Sequence, residues 1–121
     1  MTQEAFNILV EQRLTKIRET LASKRKEYAT DTDVFHNFKA ATGISFHDTP
    51  EQVAWEFMTK HLQSVKDILK MVAIDDYSGY PSKELVHEKL GDSINYLILI
   101  ETMLLERIMN YEKEIVKKTI Y

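Results

Sequence analysis

The sequence predicts an all-α domain, a four-helix bundle-like arrangement with three long helices and one short one. Apolar residues recur at helical spacing along the chain, and the 121 residues include only 3 glycines and 2 prolines, both prolines standing where a helix would begin. No alternating apolar stretch is long enough for a sheet, and there is no internal repeat or low-complexity segment. A chain of this length buries one core without staples, so residues 1–121 are read as a single domain.

Each element has its own signal. Phe6, Leu9, Val10, Leu14, Ile17, Leu21 and Tyr28 follow helical spacing and predict a first helix over residues 3–29. Residues 30–33 read as a break, with Asp33 the N-cap of a short helix through Thr42 and Gly43 its stop. Thr49-Pro50-Glu51-Gln52 starts the third helix: Thr49 as N-cap, Pro50 in the first turn, and Gln52 closing a capping box. Asp75-Asp76-Tyr77-Ser78-Gly79-Tyr80-Pro81 is rich in turn formers. The last helix starts near Ser82 and is expected to kink or break into the 111–118 tail.

Across residues 85–109 the apolar side chains spread nearly all round the helical wheel, so this helix is expected to be buried on most sides. Glu88, Asp92 and Asn95 are set into it, spaced four and then three residues apart, in one line on one face. Carboxylates inside apolar packing need a cation, a metal or water opposite them. Lys60, Ser64 and Asp67 repeat the same spacing on the preceding helix. In an antiparallel hairpin closed by residues 74–81, residues whose numbers add to about 155 lie level. Asp67 then stands across from Glu88, Ser64 from Asp92, and Lys60 from Asn95.

Two readings of this seam stay open. Glu88 and Asp92, one turn apart, suit a hard divalent cation, with Asp67 as a third carboxylate and a phosphate completing the sphere. The alternative is an internal ion-pair network in which Lys60 neutralises an acid. His61 projects from an apolar arc and reads more readily as a core histidine than as a ligand or base. Gly91 costs about 1 kcal/mol against alanine within a helix, so close packing or room for a ligand is expected there. In Phe35-His36-Asn37-Phe38-Lys39 two aromatics flank polar groups, either as the wall of a base pocket or as a plug for the bundle's end.

Composition excludes other chemistries. Without cysteine there is no disulfide, thiolate metal site or cysteine nucleophile, and no Gly-rich phosphate loop or nucleophile elbow is present. Net charge is −3, which does not advertise a nucleic-acid binder. Arg13, Lys16, Arg18, Lys24, Arg25 and Lys26 nevertheless gather against the single acid Glu19. That run is either a solvated helix face or, through Lys24, Arg25 or Lys26, a phosphate contact. No export signal is seen, and Glu101, Glu106 and Arg107 interrupt the apolar run before a membrane span is reached, so a cytoplasmic protein is expected. The apolar surface of the last helix exceeds what three neighbours would cover, which predicts a homo-oligomer, a dimer or tetramer.

Glu88-Lys89-Leu90-Gly91-Asp92, followed by Ile94-Asn95-Tyr96-Leu97, resembles the second half-motif of the all-α nucleoside-triphosphate pyrophosphohydrolases of MazG type. Together with Lys26-Glu27-Tyr28, Asn37-Phe38-Lys39, Thr49-Pro50-Glu51 and the Lys60–Asp67 stretch, it is similar to small phage and prophage proteins described as MazG-like or associated with nucleotide modification. The resemblance covers about residues 24–106. It implies a MazG-like fold, a nucleotide or nucleotide-derived ligand, and Mg²⁺ held by Glu88, Asp92 and Asp67. Lys60, Ser64, Asn95, Asn37 and Lys24 would contact the ligand, and an enzyme of this kind would hydrolyse a phosphoanhydride.

The departures are specific. The Glu-Glu-x-x-Glu motif of the earlier helix is replaced by Glu56, Lys60, Ser64 and Asp67, with Glu56 and Asp67 roughly 16 Å apart along the helix. Lys89 stands where a glutamate is usual. The thinned acid set leaves a second expectation beside hydrolysis: a non-catalytic binder that sequesters a nucleotide or nucleotide-derived signal, or an accessory to nucleotide modification.

Overall fold

The computed structural model describes the backbone of residues 1–28, 33–74 and 76–120, with side chains for 1–22, 33–74 and 76–119. It is helical, and no strand occurs among these residues. Helix α1 spans Gln3–Tyr28, α2 His36–Ala41, α3 Pro50–Ala73 and α4 Lys83–Ile120, with a single 3₁₀ turn at Tyr77–Gly79 between the last two.

The chain folds back between α3 and α4, and that hairpin is the body of the protein. Its start is fixed by the expected capping box. The Gln52 backbone N–H donates to Thr49 Oγ1 at 3.3 Å, while Gln52 Oε1 accepts from the backbone N–H groups of Asp48 at 2.7 Å and Thr49 at 3.3 Å. Orphan donors at the helix entry are thereby satisfied. At the hairpin's turn, Asp76 Oδ1 accepts from both the backbone N–H and the hydroxyl of Ser78, closing the 3₁₀ turn. Those bonds, the hydroxyl's first, hold the Asp76 carboxyl below its ordinary pKa. Ser82 then caps α4 by accepting from the Leu85 N–H at 3.1 Å.

Val53, Ala54, Met58 and Ile68 of α3 are buried along the hairpin, Val53 and Met58 almost completely. Phe35, just before α2, packs with Ala54 and Met103, and Phe38, Tyr96, Leu99 and Ile100 close over them. Short helix α2 is held by Lys39, which bridges Asp33 at 2.7 Å and Glu106 of α4 at 2.9 Å. Arg107 ties α4 back to Glu51 at the start of α3 with a 3.0 Å contact. Helix α1 runs beside α4 and meets it more sparingly than α3 does.

Two expectations change. Helix α4 continues without a break through the 111–118 segment, because nothing in 83–120 is a strong helix breaker except Gly91, which the helix absorbs. Asp33 does not cap α2. The residue at that position is Phe35, with no side-chain cap bond, and Asp33 Oδ1 instead accepts from the Phe35 N–H at 2.9 Å, one turn earlier. Within one chain the apolar wheel of α4 is covered only in part: Leu97, Leu104, Leu105, Ile108 and Met109 are exposed, in line with an apolar surface larger than three neighbouring helices can cover.

Candidate functional site: a mixed-charge groove beside an aromatic chamber

Between α1 and α4 lies a groove of about 420 Å³. Arg13, Lys16 and Thr20 line it from α1, and Glu84, His87, Glu88, Gly91, Asp92 and Asn95 from α4. Their spacing explains their alignment, since steps of three and four residues put each set on one helix face. Gly91 is where the two helices can share a side chain. A Cβ at Gly91 would stand 2.4 Å from Arg13 Nη1, so the missing side chain gives the guanidinium its place. Arg13 Nη2 donates to the His87 carbonyl at 2.9 Å, fixing the guanidinium over this turn of α4.

The groove's electrostatics are mixed. Arg13 and Lys16 supply positive charge, and Glu84, Glu88 and Asp92 supply negative charge from the opposite wall. At its floor Asn95 is only 4% exposed, and its buried Oδ1 has no hydrogen-bond partner among the described residues. Leaving such an acceptor unpaired costs about 1–3 kcal/mol. Asp92 is partly exposed and faces His61 of α3, Oδ2 to Nδ1 3.4 Å. His61 in turn stacks on Tyr96, ring centres 5.4 Å apart and planes 26° off parallel.

Tyr96 also lines a second cavity, an apolar chamber of about 520 Å³. Phe35, Phe38 and Phe57 join it as aromatic walls, Leu21, Val34, Ile98 and Leu99 add aliphatic surface, and Asn37 and Thr102 are polar members of the lining. Because Asn95 borders the groove and Tyr96 the chamber, polar and aromatic spaces succeed one another along α4.

Of the residues expected at the site, Glu88, Asp92 and Asn95 line the groove and Asn37 lines the chamber. Lys60, Ser64 and Asp67 do not line either. Lys60 is exposed, Ser64 Oγ donates back to the Lys60 carbonyl at 3.1 Å, and Asp67 accepts from Gln63 Nε2 at 3.0 Å. The helices pair within about one turn of the expected register, but His61, not Ser64, reaches Asp92. Among the described residues no three His, Asp or Glu side chains gather closely enough to hold a metal between them. Lys24, Arg25 and Lys26 lie outside the described side chains.

Thr20 is not singled out by the sequence, Arg13 and Lys16 appear there only within a basic run whose expected phosphate contact falls on Lys24, Arg25 or Lys26, and His61 reads as a core histidine. For α1 the signal was present, because Arg13, Lys16 and Thr20 carry the same three-and-four spacing as the stripes of α3 and α4. Comparison with protein-family models, with curated proteins and with solved structures finds no match to this chain.

Proposed function

We propose that this protein binds a nucleotide, or a nucleotide-derived small molecule, in the groove between α1 and α4 and the adjoining aromatic chamber, with Mg²⁺ on its phosphates. The carrying observation is the succession of a mixed-charge groove and an aromatic-walled chamber along one helix, a match to a ligand that is anionic at one end and a flat ring at the other. Arg13 and Lys16 would meet phosphate oxygens, and the chamber walled by Phe35, Phe38, Phe57 and Tyr96 would take the base. Asn95 offers an amide to the sugar or phosphate between them.

The carboxylates decide the metal's part. A bare polyphosphate would meet Glu84, Glu88 and Asp92 as like charges, whereas a magnesium complex would meet Glu88 and Asp92 as ligands. Mg²⁺ commonly rests on one or two carboxylates and completes its sphere with water and substrate phosphates, so Glu88 and Asp92 suffice without a closed protein cage. Bound there, the ion would neutralise phosphate charge. Asp67, the third acid of the MazG-like resemblance, stands outside the groove, and this favours binding over hydrolysis as the principal activity.

Thermal shift with nucleoside triphosphates tests the reading. A ligand selective for the folded state raises the melting temperature by mass action. The rise is expected to be larger with Mg²⁺ than with EDTA, and to be lost in Arg13→Ala. A rise indifferent to Mg²⁺ would leave a metal-free binder, release of pyrophosphate from the triphosphate would restore the hydrolase, and no rise with any nucleotide would remove the proposal.

A further inference from the structure

Along the outer side of α4, Leu97, Leu104, Ile108, Tyr111 and Ile115 succeed one another at intervals of seven, four, three and four residues. That is the heptad spacing of a coiled-coil seam. The side chains from Leu104 to Ile115 in this row are each 44–66% exposed, and every residue from Arg107 to Thr119 is exposed. Beyond Arg107, whose bond to Glu51 marks the end of the α3 hairpin, α4 runs on for about 20 Å, taking a rise of about 1.5 Å per residue. Leu105, Met109 and Val116 widen the apolar face on one side.

We infer that this face pairs with the same face of a second copy, antiparallel, about a two-fold axis between Met109 and Asn110. Charge selects both the partner and its direction. In that register Leu104 lies level with Ile115 of the second copy, and Ile108 with its Tyr111, so the apolar seam matches itself. Glu101 and Lys118 extend the same row at its two ends, and neither has an ion-pair partner among the described residues. The antiparallel pair sets Glu101 of each copy against Lys118 of the other. A parallel pair would set Glu101 against Glu101 and Lys118 against Lys118, at a cost in like-charge contact. A two-fold self-complementary contact closes on itself and yields a dimer rather than a filament. This seam lies apart from the α1–α4 cleft and does not depend on any ligand.

The natural chain has no cysteine, so single cysteines report the seam cleanly. Wild-type protein is expected to sediment as a dimer at micromolar concentration, and Ile108→Glu as a monomer with an unchanged helical spectrum, since Ile108 is a surface residue within one chain. Mixed and mildly oxidised, Leu104→Cys and Ile115→Cys are expected to form a disulfide-linked heterodimer, while each alone does not. In the antiparallel register two copies of residue 104 are about 16 Å apart, beyond the roughly 7 Å Cα separation a disulfide tolerates. Lys118→Glu is expected to weaken the dimer and Glu101→Lys added to it to restore it. A monomeric wild type, a dimer that survives Ile108→Glu, or Leu104→Cys that cross-links to itself would each overturn the inference.

Discussion

Gly91 carries two properties at once, helix weakness and space, and they can be separated. Alanine there gains about 1 kcal/mol of helix propensity, but its Cβ would fall 2.4 Å from Arg13 Nη1, the flexible end of a long side chain that can swing away. Gly91→Ala is therefore expected to melt no lower than wild type while binding magnesium triphosphate more weakly, checked by calorimetric titration beside thermal melts. A drop in melting temperature would show that the Arg13 contact is structural. Asp92 divides in the same way. In Asp92→Asn the side chain keeps its size and its reach to His61, and the pair it leaves is partly exposed, so folded stability is expected to fall by less than about 1 kcal/mol. The extra stabilisation that Mg²⁺ adds to nucleotide binding is expected to vanish. At this scale the sequence was only half legible. Spacing placed Glu88, Asp92 and Asn95 on one face, but which residue of the facing helix meets Asp92 depends on a fraction of a helical turn, and His61 takes the place that periodicity assigned to Ser64.

Among the elements, α2 is held by charge as well as by the packing of Phe35 and Phe38. The Lys39 ammonium donates to Asp33 and Glu106, and those bonds raise the Lys39 pKa above its ordinary 10.5. The bond from Lys39 and then the Phe35 N–H lower the Asp33 pKa below 3.8. A group whose folded pKa is depressed lends stability above its unfolded value and loses it as pH falls through the folded one, so the Asp33 share fades in acid below about pH 3.8. The Lys39 share is complete below pH 10.5 and is lost as pH rises through the raised folded value. Lys39→Met is accordingly expected to speed amide exchange in α2 at neutral pH and to remove its extra loosening in strong acid, with a total effect under about 1 kcal/mol because the pair is solvent-screened. The hairpin stands on burial instead. Met58→Ala is expected to cost about 2–5 kcal/mol in denaturant unfolding, the range for emptying a fully buried methionine site. The elements themselves were the most legible part of the sequence, since capping box, turn and apolar period are local signals. The start of α2 was not, because Asp33 has two acceptor oxygens and uses them on the preceding turn and on Lys39.

For the whole molecule the sequence indicated one helical domain, and the extent of α4's apolar wheel pointed beyond a single chain. One chain leaves residues 107–119 of α4 exposed, because α1 meets α4 sparingly and the contacts of α2 and α3 with it end near Glu106 and Arg107. That loose attachment gives the cleft its means of responding to a ligand: contacts bridging α1 and α4 would add to the least anchored pair of long helices. Backbone amides of α1 are expected to exchange faster than those of α3 in the free protein, and to slow on addition of magnesium triphosphate while α3 changes little. Nucleotide binding along α4 is tested most directly by a heteronuclear NMR titration of the uniformly labelled protein with a magnesium nucleoside triphosphate. Binding at this site gives saturable shifts confined to the Arg13–Thr20 face of α1, the Glu84–Asn95 face of α4 and the amides around Phe35, Phe38 and Tyr96. Absence of saturable shifts, or shifts centred on Lys60, Ser64 and Asp67 of α3 with the α1–α4 groove and the chamber unmoved, would overturn binding at this site.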